Sequence, residues 1–299
     1  AMNPAGALGV FTTAKDRSTE LRDAVRAHAG NGTANGLWAQ VTGGKTKLKG
    51  ISTGAQDLDL DTDAYGLAVG GEAALQNITL GAAFMGGSGK TENDSVAGKD
   101  DFNYYGISFY AKTQVQGIDL EGDVSAAWLK SDLTVGGAAD VDTDTTTAVY
   151  SLGIQAKKTF NLGVDVTPFI GMDVYHIKSD GFTTNHGVSI EDANATIVEF
   201  PIGAEVKKAL QTSSGFSVAP SFSLAVVPTV GCKDIDSKVR FAGAESTYIF
   251  TFADDVKVRS QLGIEAQKDN FTLGLAAGYD WGNEERSAAS VQLRAKYAF

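Results

Sequence analysis

The last stretch of the chain constrains the fold more than any other feature. Ala289, Val291, Leu293, Ala295, Tyr297 and Phe299 share one face of an extended segment, and Ser290, Gln292, Arg294, Lys296 and Ala298 share the other, because successive side chains on a strand point to opposite sides. The same period of two separates Val256, Val258, Leu262, Ile264 and Ala266 from Lys257, Arg259, Gln261, Gly263, Glu265 and Gln267. From residue 36 onward the pattern recurs near 36–50, 62–76, 78–89, 102–116, 117–131, 145–160, 163–178, 195–210, 215–231, 255–268, 270–282 and 285–299. That is about twelve strands, an even number that puts both ends of a closed antiparallel sheet on one side.

Alternation alone fits a soluble sandwich as well as a barrel, so other features decide. Thr143 to Phe160, Val164 to Lys178 and Thr196 to Lys207 are longer than an average strand, whereas a tilted bilayer crossing takes about 9 to 11 residues. Connections alternate in length. Tight turns fall at Gln76-Asn77, Gln116-Gly117, Asn161 to Gly163, Gln211 to Ser214 and Lys268 to Asn270, and longer polar segments at Gly50 to Asp61, Lys90 to Asp101, Asp132 to Asp144, Ser179 to Asn194 and Lys233 to Asp255. Bacterial outer-membrane barrels show this asymmetry.

The two faces also differ in content. Glu72, Lys112, Asp119, Glu121, Asp123, Lys157, Asp165, Asp173, Glu199, Glu205, Lys257, Arg259, Glu265, Asp280, Arg294 and Lys296 lie on the polar faces. Opposite them, Tyr65, Leu67, Val69, Leu80, Phe84, Ile107, Phe109, Ile118, Leu120, Val124 and Trp128 need an apolar partner. One sheet closed on itself, with lipid outside and water inside, meets both demands. Tyr65, Tyr105, Trp128, Tyr279, Trp281, Tyr297 and Phe299 sit near the ends of the apolar faces, where interfacial girdles are placed.

Composition narrows the classes. The mean hydropathy is -0.08, and no run approaches the roughly 20 apolar residues of a membrane helix. Abundant Gly (35) and scarce Pro (5) suit many strands joined by turns. A net charge of -11 argues against a nucleic-acid partner. Cys232 is alone, so no internal disulfide forms, and nothing beside it in sequence activates a thiol. His28, His176 and His186 are not spaced as metal ligands, Gly86-Gly87-Ser88-Gly89-Lys90 lacks the spacing of a phosphate loop, and no Ser sits in a nucleophile elbow. The expectation is a chain with no metal, no cofactor and no enzymatic activity. The opening Ala1-Met2 reads as a cloning remnant, with a longer precursor expected upstream.

Before the first strand, Asp16 to Ala29 reads as a helix over about 14 to 29, with Ser18 or Asp16 capping its start and Gly30 ending it. Arg22 and Arg26, four apart, share a face. The chain closes on Leu293, Tyr297 and Phe299, an amphipathic edge strand with a terminal aromatic and a free carboxylate. A polar helix, then Gly36-Leu37-Trp38-Ala39-Gln40-Val41, then about twelve strands and this ending together resemble the translocator domain of autotransporters over nearly the whole chain. The resemblance implies an all-β, twelve-stranded antiparallel transmembrane barrel (36–299), preceded by a linker and pore-plugging helix (1–35). It also implies a monomer in the bacterial outer membrane whose partners are lipid, the β-barrel assembly machinery and its own N-terminal passenger. The terminal residues Leu293, Tyr297 and Phe299 look like the assembly signal.

In that frame Arg17, Arg22 and Arg26 are expected to pair with lumen carboxylates, chiefly Asp119, Glu121, Asp123, Glu199 and Glu205. Glu72, Arg259 and Arg294 complete the expected lumen wall. Lumen-facing glycines such as Gly66, Gly70, Gly81, Gly106 and Gly153 either leave room for the helix or mark bends. Some autotransporters cleave themselves between two asparagines inside the barrel, but no Asn-Asn pair occurs here. The alternatives are a small porin passing solutes through a polar lumen, or a barrel whose surface loops act as hydrolase or adhesin.

Overall fold

The computed structural model describes residues 9–28, 35–52, 57–93, 97–135, 141–283 and 286–299. Among these, one helix, α1 (Val10–His28), precedes twelve long strands. They are β1 (Gly36–Ser52), β2 (Asp57–Leu75), β3 (Ile78–Asn93), β4 (Gly98–Val115), β5 (Ile118–Val135), β6 (Val141–Lys157) and β7 (Asp165–Ser179). The rest are β8 in two pieces (Ala193–Glu199 and Ile202–Lys207), β9 (Ser217–Gly231), β10 (Val256–Lys268), β11 (Phe271–Gly282) and β12 (Arg286–Ala298).

Each strand pairs antiparallel with its sequence neighbours, and β12 returns to β1, with Gly36 opposite Ala298 and Leu48 opposite Arg286. The sheet is therefore closed, which leaves no edge and pairs the backbone within the wall. The break in β8 falls at Phe200-Pro201, where proline has no N–H to donate. There the Gly171 N–H still donates to the Pro201 carbonyl (2.8 Å), so pairing with β7 continues.

One end of the barrel carries the tight connections and both barrel termini. Gln76, Gln116 and Asp269 take positive φ there (55°, 52° and 52°), letting the chain reverse within two residues. At the loop end the strands run further than the longer polar segments suggested. β2 has 19 residues, roughly twice the 9 to 11 that a crossing requires, so the β1–β6 side projects as a palisade. Its outer face is apolar beside the membrane and turns charged above it, where Lys45 meets Asp61 (3.1 Å) and Lys99 meets Asp101 (2.5 Å). Tyr105 and Trp128 stack at the changeover, with ring centroids 5.3 Å apart. Tyr65, Tyr279, Trp281, Tyr297 and Phe299 are exposed on the outer face.

The segment read as a polar loop, 233–255, holds a hairpin, Asp234–Phe241 with Ala244–Thr251. It turns on Ala242 and Gly243, both left-handed (φ 49° and 84°), as a two-residue turn of matching twist requires. Ile-Asp-Ser-Lys-Val-Arg-Phe has the period of two that makes this a strand. The hairpin joins the short pieces Phe182–Thr183 and Ser189–Ile190 in a four-stranded cap over the loop end. On the exposed cap, a hydrogen bond from Arg240 holds the Glu245 carboxyl below its usual range.

Helix α1 begins four residues before the expected start, so Asp16 and Ser18 are interior positions and not caps. Val10, Phe11, Thr12 and Thr13 are poor helix formers, yet all four are buried. The cap supplies the reason. Phe11 packs on Phe252 (6.0 Å between centroids), and the Thr12 hydroxyl donates to the Phe252 carbonyl (3.0 Å). The expected stop at Gly30 lies outside the described residues.

Candidate functional site

Helix α1 lies inside the barrel, running from the loop end to the turn end. Gly9 approaches the Leu60 and Leu48 side chains near the loop ends of β2 and β1. At the other end the ring of His28 stacks on Trp38, 4.4 Å apart and 9° from parallel. Trp38 in turn donates to the Tyr110 hydroxyl (3.0 Å). Lys296, on the last strand, donates to the His28 carbonyl (2.8 Å) and contacts Glu72, so a cation closes the negative end of the helix.

At 100° per residue, side chains seven apart recur on one helix face, and the sequence uses this to give α1 three faces. Val10, Ala14, Leu21, Ala24 and Val25 form an apolar side, all buried. Leu21 sits over Gly106, where an added Cβ would come within 3.0 Å of its Cδ2. Lys15, Arg22 and Arg26 form a basic stripe toward β5, β7 and β8. Arg22 Nε lies 3.0 Å from Asp123 Oδ2, Arg26 lies 2.6 Å from Asp173 Oδ1, and Lys15 Nζ lies 2.6 Å from Glu199 Oε1. Lys257 shares that Glu199 carboxylate at 2.9 Å. Asp16 and Asp23 form an acidic stripe toward the opposite wall, where they meet Arg286 and Arg259. Arg259 also holds Asp280 at 3.2 Å.

Tyr175 links the stripes to the wall: its hydroxyl accepts from Thr19 (3.1 Å), and its face receives Arg22 at 4.7 Å from the ring centroid. Gly153 makes the basic clasp possible. A Cβ there would fall 2.5 Å from Asp123 Oδ1, 2.6 Å from Arg26 and 2.7 Å from Arg22. Three other wall glycines make room for lumen aromatics and not for the helix itself. A Cβ at Gly66, Gly70 or Gly81 would strike the rings of Tyr104, Trp38 and Tyr110, which lie flat across them.

The structure distributes the expected pairs differently from the sequence reading. Arg22 and Arg26 meet Asp123, but their second partner is Asp173, absent from the expected group. Arg17 turns back to Glu20 on its own helix (2.6 Å) and faces the Tyr104 ring. Glu199 receives Lys15, a residue the sequence reading passed over. Glu121 is held within the wall by Lys112 and Lys157 (3.3 and 2.6 Å), and Asp119 accepts from Gln114 (3.0 Å). Glu205 and Arg294 are half-buried on the lumen face of β8 and β12. The acidic stripe was missed too, although the seven-residue spacing of Asp16 and Asp23 beside that of Lys15 and Arg22 was the available signal. Leu293, Tyr297 and Phe299 point outward from β12.

The model of the autotransporter β-domain family matches residues 37–280. A search of curated proteins by sequence finds no match. Among solved structures, the chain is similar to the translocator domain of the autotransporter NalP from Neisseria meningitidis, with a TM-score of 0.76, 14% identity and 97% of each chain covered. It is also similar to the transport unit of AIDA-I from Escherichia coli (TM-score 0.67, 14% identity, 100% of each chain covered). A third likeness is the β domain of the Bordetella autotransporter BrkA (TM-score 0.63, 15% identity, 89% of this chain and 100% of that one). At such identities these likenesses speak to the fold, and the fold agrees with the sequence expectation of twelve antiparallel strands and an N-terminal helix. Since the family model spans most of the barrel, the chain belongs to the autotransporter β-domain family and is an integral outer-membrane translocator.

Proposed function

We propose that α1 is a plug held in register by its two charged stripes, and that the barrel is a non-catalytic monomer exporting a linked N-terminal passenger. The tight-turn end faces the periplasm and the capped loop end faces the cell surface, following the rule for bacterial barrels. In this reading α1 is the trailing part of the exported chain, left in the lumen with its start toward the outside. Leu293, Tyr297 and Phe299 act as the assembly signal, presenting an amphipathic strand and a carboxylate for capture by strand addition. No proteolytic chemistry is assigned to the lumen in this reading, since the carboxylates against α1's basic stripe, Asp123, Asp173 and Glu199, are engaged by cations and the chain has no Asn-Asn pair.

The observation that carries the plugging role is the buried clasp of Arg22 and Arg26 on Asp123 and Asp173. Its test is Arg22→Ala with Arg26→Ala in the folded barrel. The expected results are higher single-channel conductance in planar bilayers and protease cleavage within α1. Unchanged conductance together with an intact helix would end the plugging role.

A further inference from the structure

We infer that the periplasmic rim of the barrel on the β6–β11 side is a binding surface for anionic phospholipid, with Lys158, Lys208 and Lys268 taking the headgroups of the leaflet that faces the periplasm. This rests on the orientation given above and adds to it a lipid site that the export role does not use.

The surface is built by one device used twice. β6 runs out at Lys157-Lys158, and the second piece of β8 at Lys207-Lys208. In both places the N–H of the second lysine donates to a proline carbonyl on the next strand, Lys158 to Pro168 and Lys208 to Pro220, at 3.2 Å each. Proline has no N–H to return, so the ladder lapses there. It resumes for two residues, where Phe160 pairs with Val166 and Leu210 with Val218. Successive residues of a strand face opposite sides, so each Lys-Lys step divides between the two faces. Lys157 and Lys207 point into the lumen, where Glu121 (2.6 Å) and Glu265 neutralise them. Lys158 and Lys208 fall on the outward face with Phe160 and Leu210.

The third hairpin, β10–β11, adds Lys268. Its ammonium lies 5.0 Å from the ring centroid of Phe216 on β9, and that of Lys158 lies 5.5 Å from the Phe160 ring. The turn segments 158–164, 208–216 and 268–270 hold these three lysines against a single acid, Asp269. Large apolar side chains are exposed among them, Leu162 at 74% and Phe160 at 45%. Leaving such groups in bulk water is unfavourable. An ammonium above a ring, its stem laid along apolar surface, belongs at the boundary between hydrocarbon and headgroups.

The other half of the same rim lacks these cations. There β2–β3 and β4–β5 turn on Gln76-Asn77 and Gln116-Gly117, which carry no charge, and the exposed residues beside them are aliphatic: Leu75, Ile78, Val115 and Ile118. Both halves can meet hydrocarbon, but only one offers cations to phosphate. A lysine near an anionic surface gains attraction that a neutral headgroup does not supply. Three of them on successive turns therefore select phosphatidylglycerol over zwitterionic phosphatidylethanolamine.

The test places the whole chain in nanodiscs of equal phosphatidylethanolamine and phosphatidylglycerol and counts retained lipid by native mass spectrometry. Phosphatidylglycerol should dominate. Lys158→Gln with Lys208→Gln and Lys268→Gln should lower its retention roughly tenfold while the barrel stays heat-modifiable. Removing as many lysines at the loop end, Lys90→Gln with Lys99→Gln and Lys130→Gln, should leave retention unchanged. Equal retention of the two lipids by the unsubstituted barrel, or an equal loss from the loop-end set, would overturn the inference. A second measurement needs no substitution: a wash in about 1 M salt should bring phosphatidylglycerol on the unsubstituted barrel down to the phosphatidylethanolamine level. Retention indifferent to salt would also overturn the inference. Orientation is checked apart from lipid. Cys232 is exposed and follows β9 at the loop end, so a membrane-impermeant maleimide should label it on intact cells. Failure of the lipid measurements with Cys232 labelled overturns the lipid site alone. A Cys232 that reacts only after the outer membrane is opened overturns the orientation and, with it, the assignment to this leaflet.

Discussion

Two sides of the same helix are held by the same kind of charge pair under different physical conditions. Arg22 and Asp123 have side chains 0% and 3% exposed, whereas Asp23 and Arg259 are 33% and 25% exposed. A desolvated pair gains little net stability, because removing two ions from water offsets most of their attraction, but leaving one ion without its partner is expensive. A hydrated pair is screened and worth little in either direction. The Arg22 clasp therefore specifies where the helix sits, and the Asp23–Arg259 pair ties it loosely to the wall opposite, while Asp16 with Arg286 (13% and 9% exposed), nearer the loop end, is of the buried kind.

The largest effect that distinguishes the two sides should come from Asp123→Asn combined with Asp173→Asn. It strands two guanidinium groups against Gly153, at a cost of about 3–5 kcal/mol to the docked helix. Helix protection from protease should fall and conductance should rise, while the barrel itself stays heat-modifiable. A helix still protected in this variant would mean that the apolar face alone holds it.

Crowding gives the next largest contrast. Gly153→Val puts carbon where Asp123, Arg26 and Arg22 already meet, an overpacking worth about 1–3 kcal/mol. At Gly278 on β11 the Cβ of a valine comes 2.9 Å from the Ser290 hydroxyl, which a rotation relieves, and 3.8 Å from the Ser260 carbonyl oxygen, an ordinary contact. Protease sensitivity of α1 should increase for the first and stay near the unsubstituted level for the second. Equal sensitivity would erase the distinction between the walls. His28→Ala removes the stack on Trp38, about 0.5–1.5 kcal/mol beyond the area it buries. Cleavage should then begin at the His28 end of α1 and not at Val10.

This contrast was only partly legible in the sequence. The strand count, the closed sheet and the outward face of β12 follow from a period of two, which is a local property of residues such as Val291, Leu293 and Tyr297. The sidedness of the helix is local as well, and reading Lys15 with Arg22 and Asp16 with Asp23 as stripes would have found it. The partners are not local. Asp123, Asp173, Glu121 and Glu199 all occupy inward positions, and which of them meets Arg26 depends on the depth and rotation of α1 inside the barrel. Depth is fixed in turn by Phe11 against Phe252, a contact across most of the chain, and by a hairpin whose alternation was overlooked in a segment read as a loop. Arg17 shows the same limit: its ion pair is with Glu20, three residues away on its own helix, and not with a wall carboxylate.

The smallest expected effect is the most informative about water in the lumen. Asp23→Asn removes one partner of Arg259 but leaves Asp280 at 3.2 Å, so the guanidinium keeps a counter-ion and a hydrated surface. The expected loss is at most about 1 kcal/mol. Between low salt and 1 M salt the screening length falls from tens of ångströms to about 3 Å, which removes most of an exposed pair's attraction. Protease sensitivity of α1 should therefore differ slightly between the variant and the unsubstituted barrel at low salt and converge at high salt. The double Asp123 and Asp173 variant should stay distinct at both, because salt does not reach a site closed on all sides. If Asp23→Asn were as damaging as the double variant and equally insensitive to salt, the far side of the lumen would be dry, and the asymmetry between the two walls would not hold.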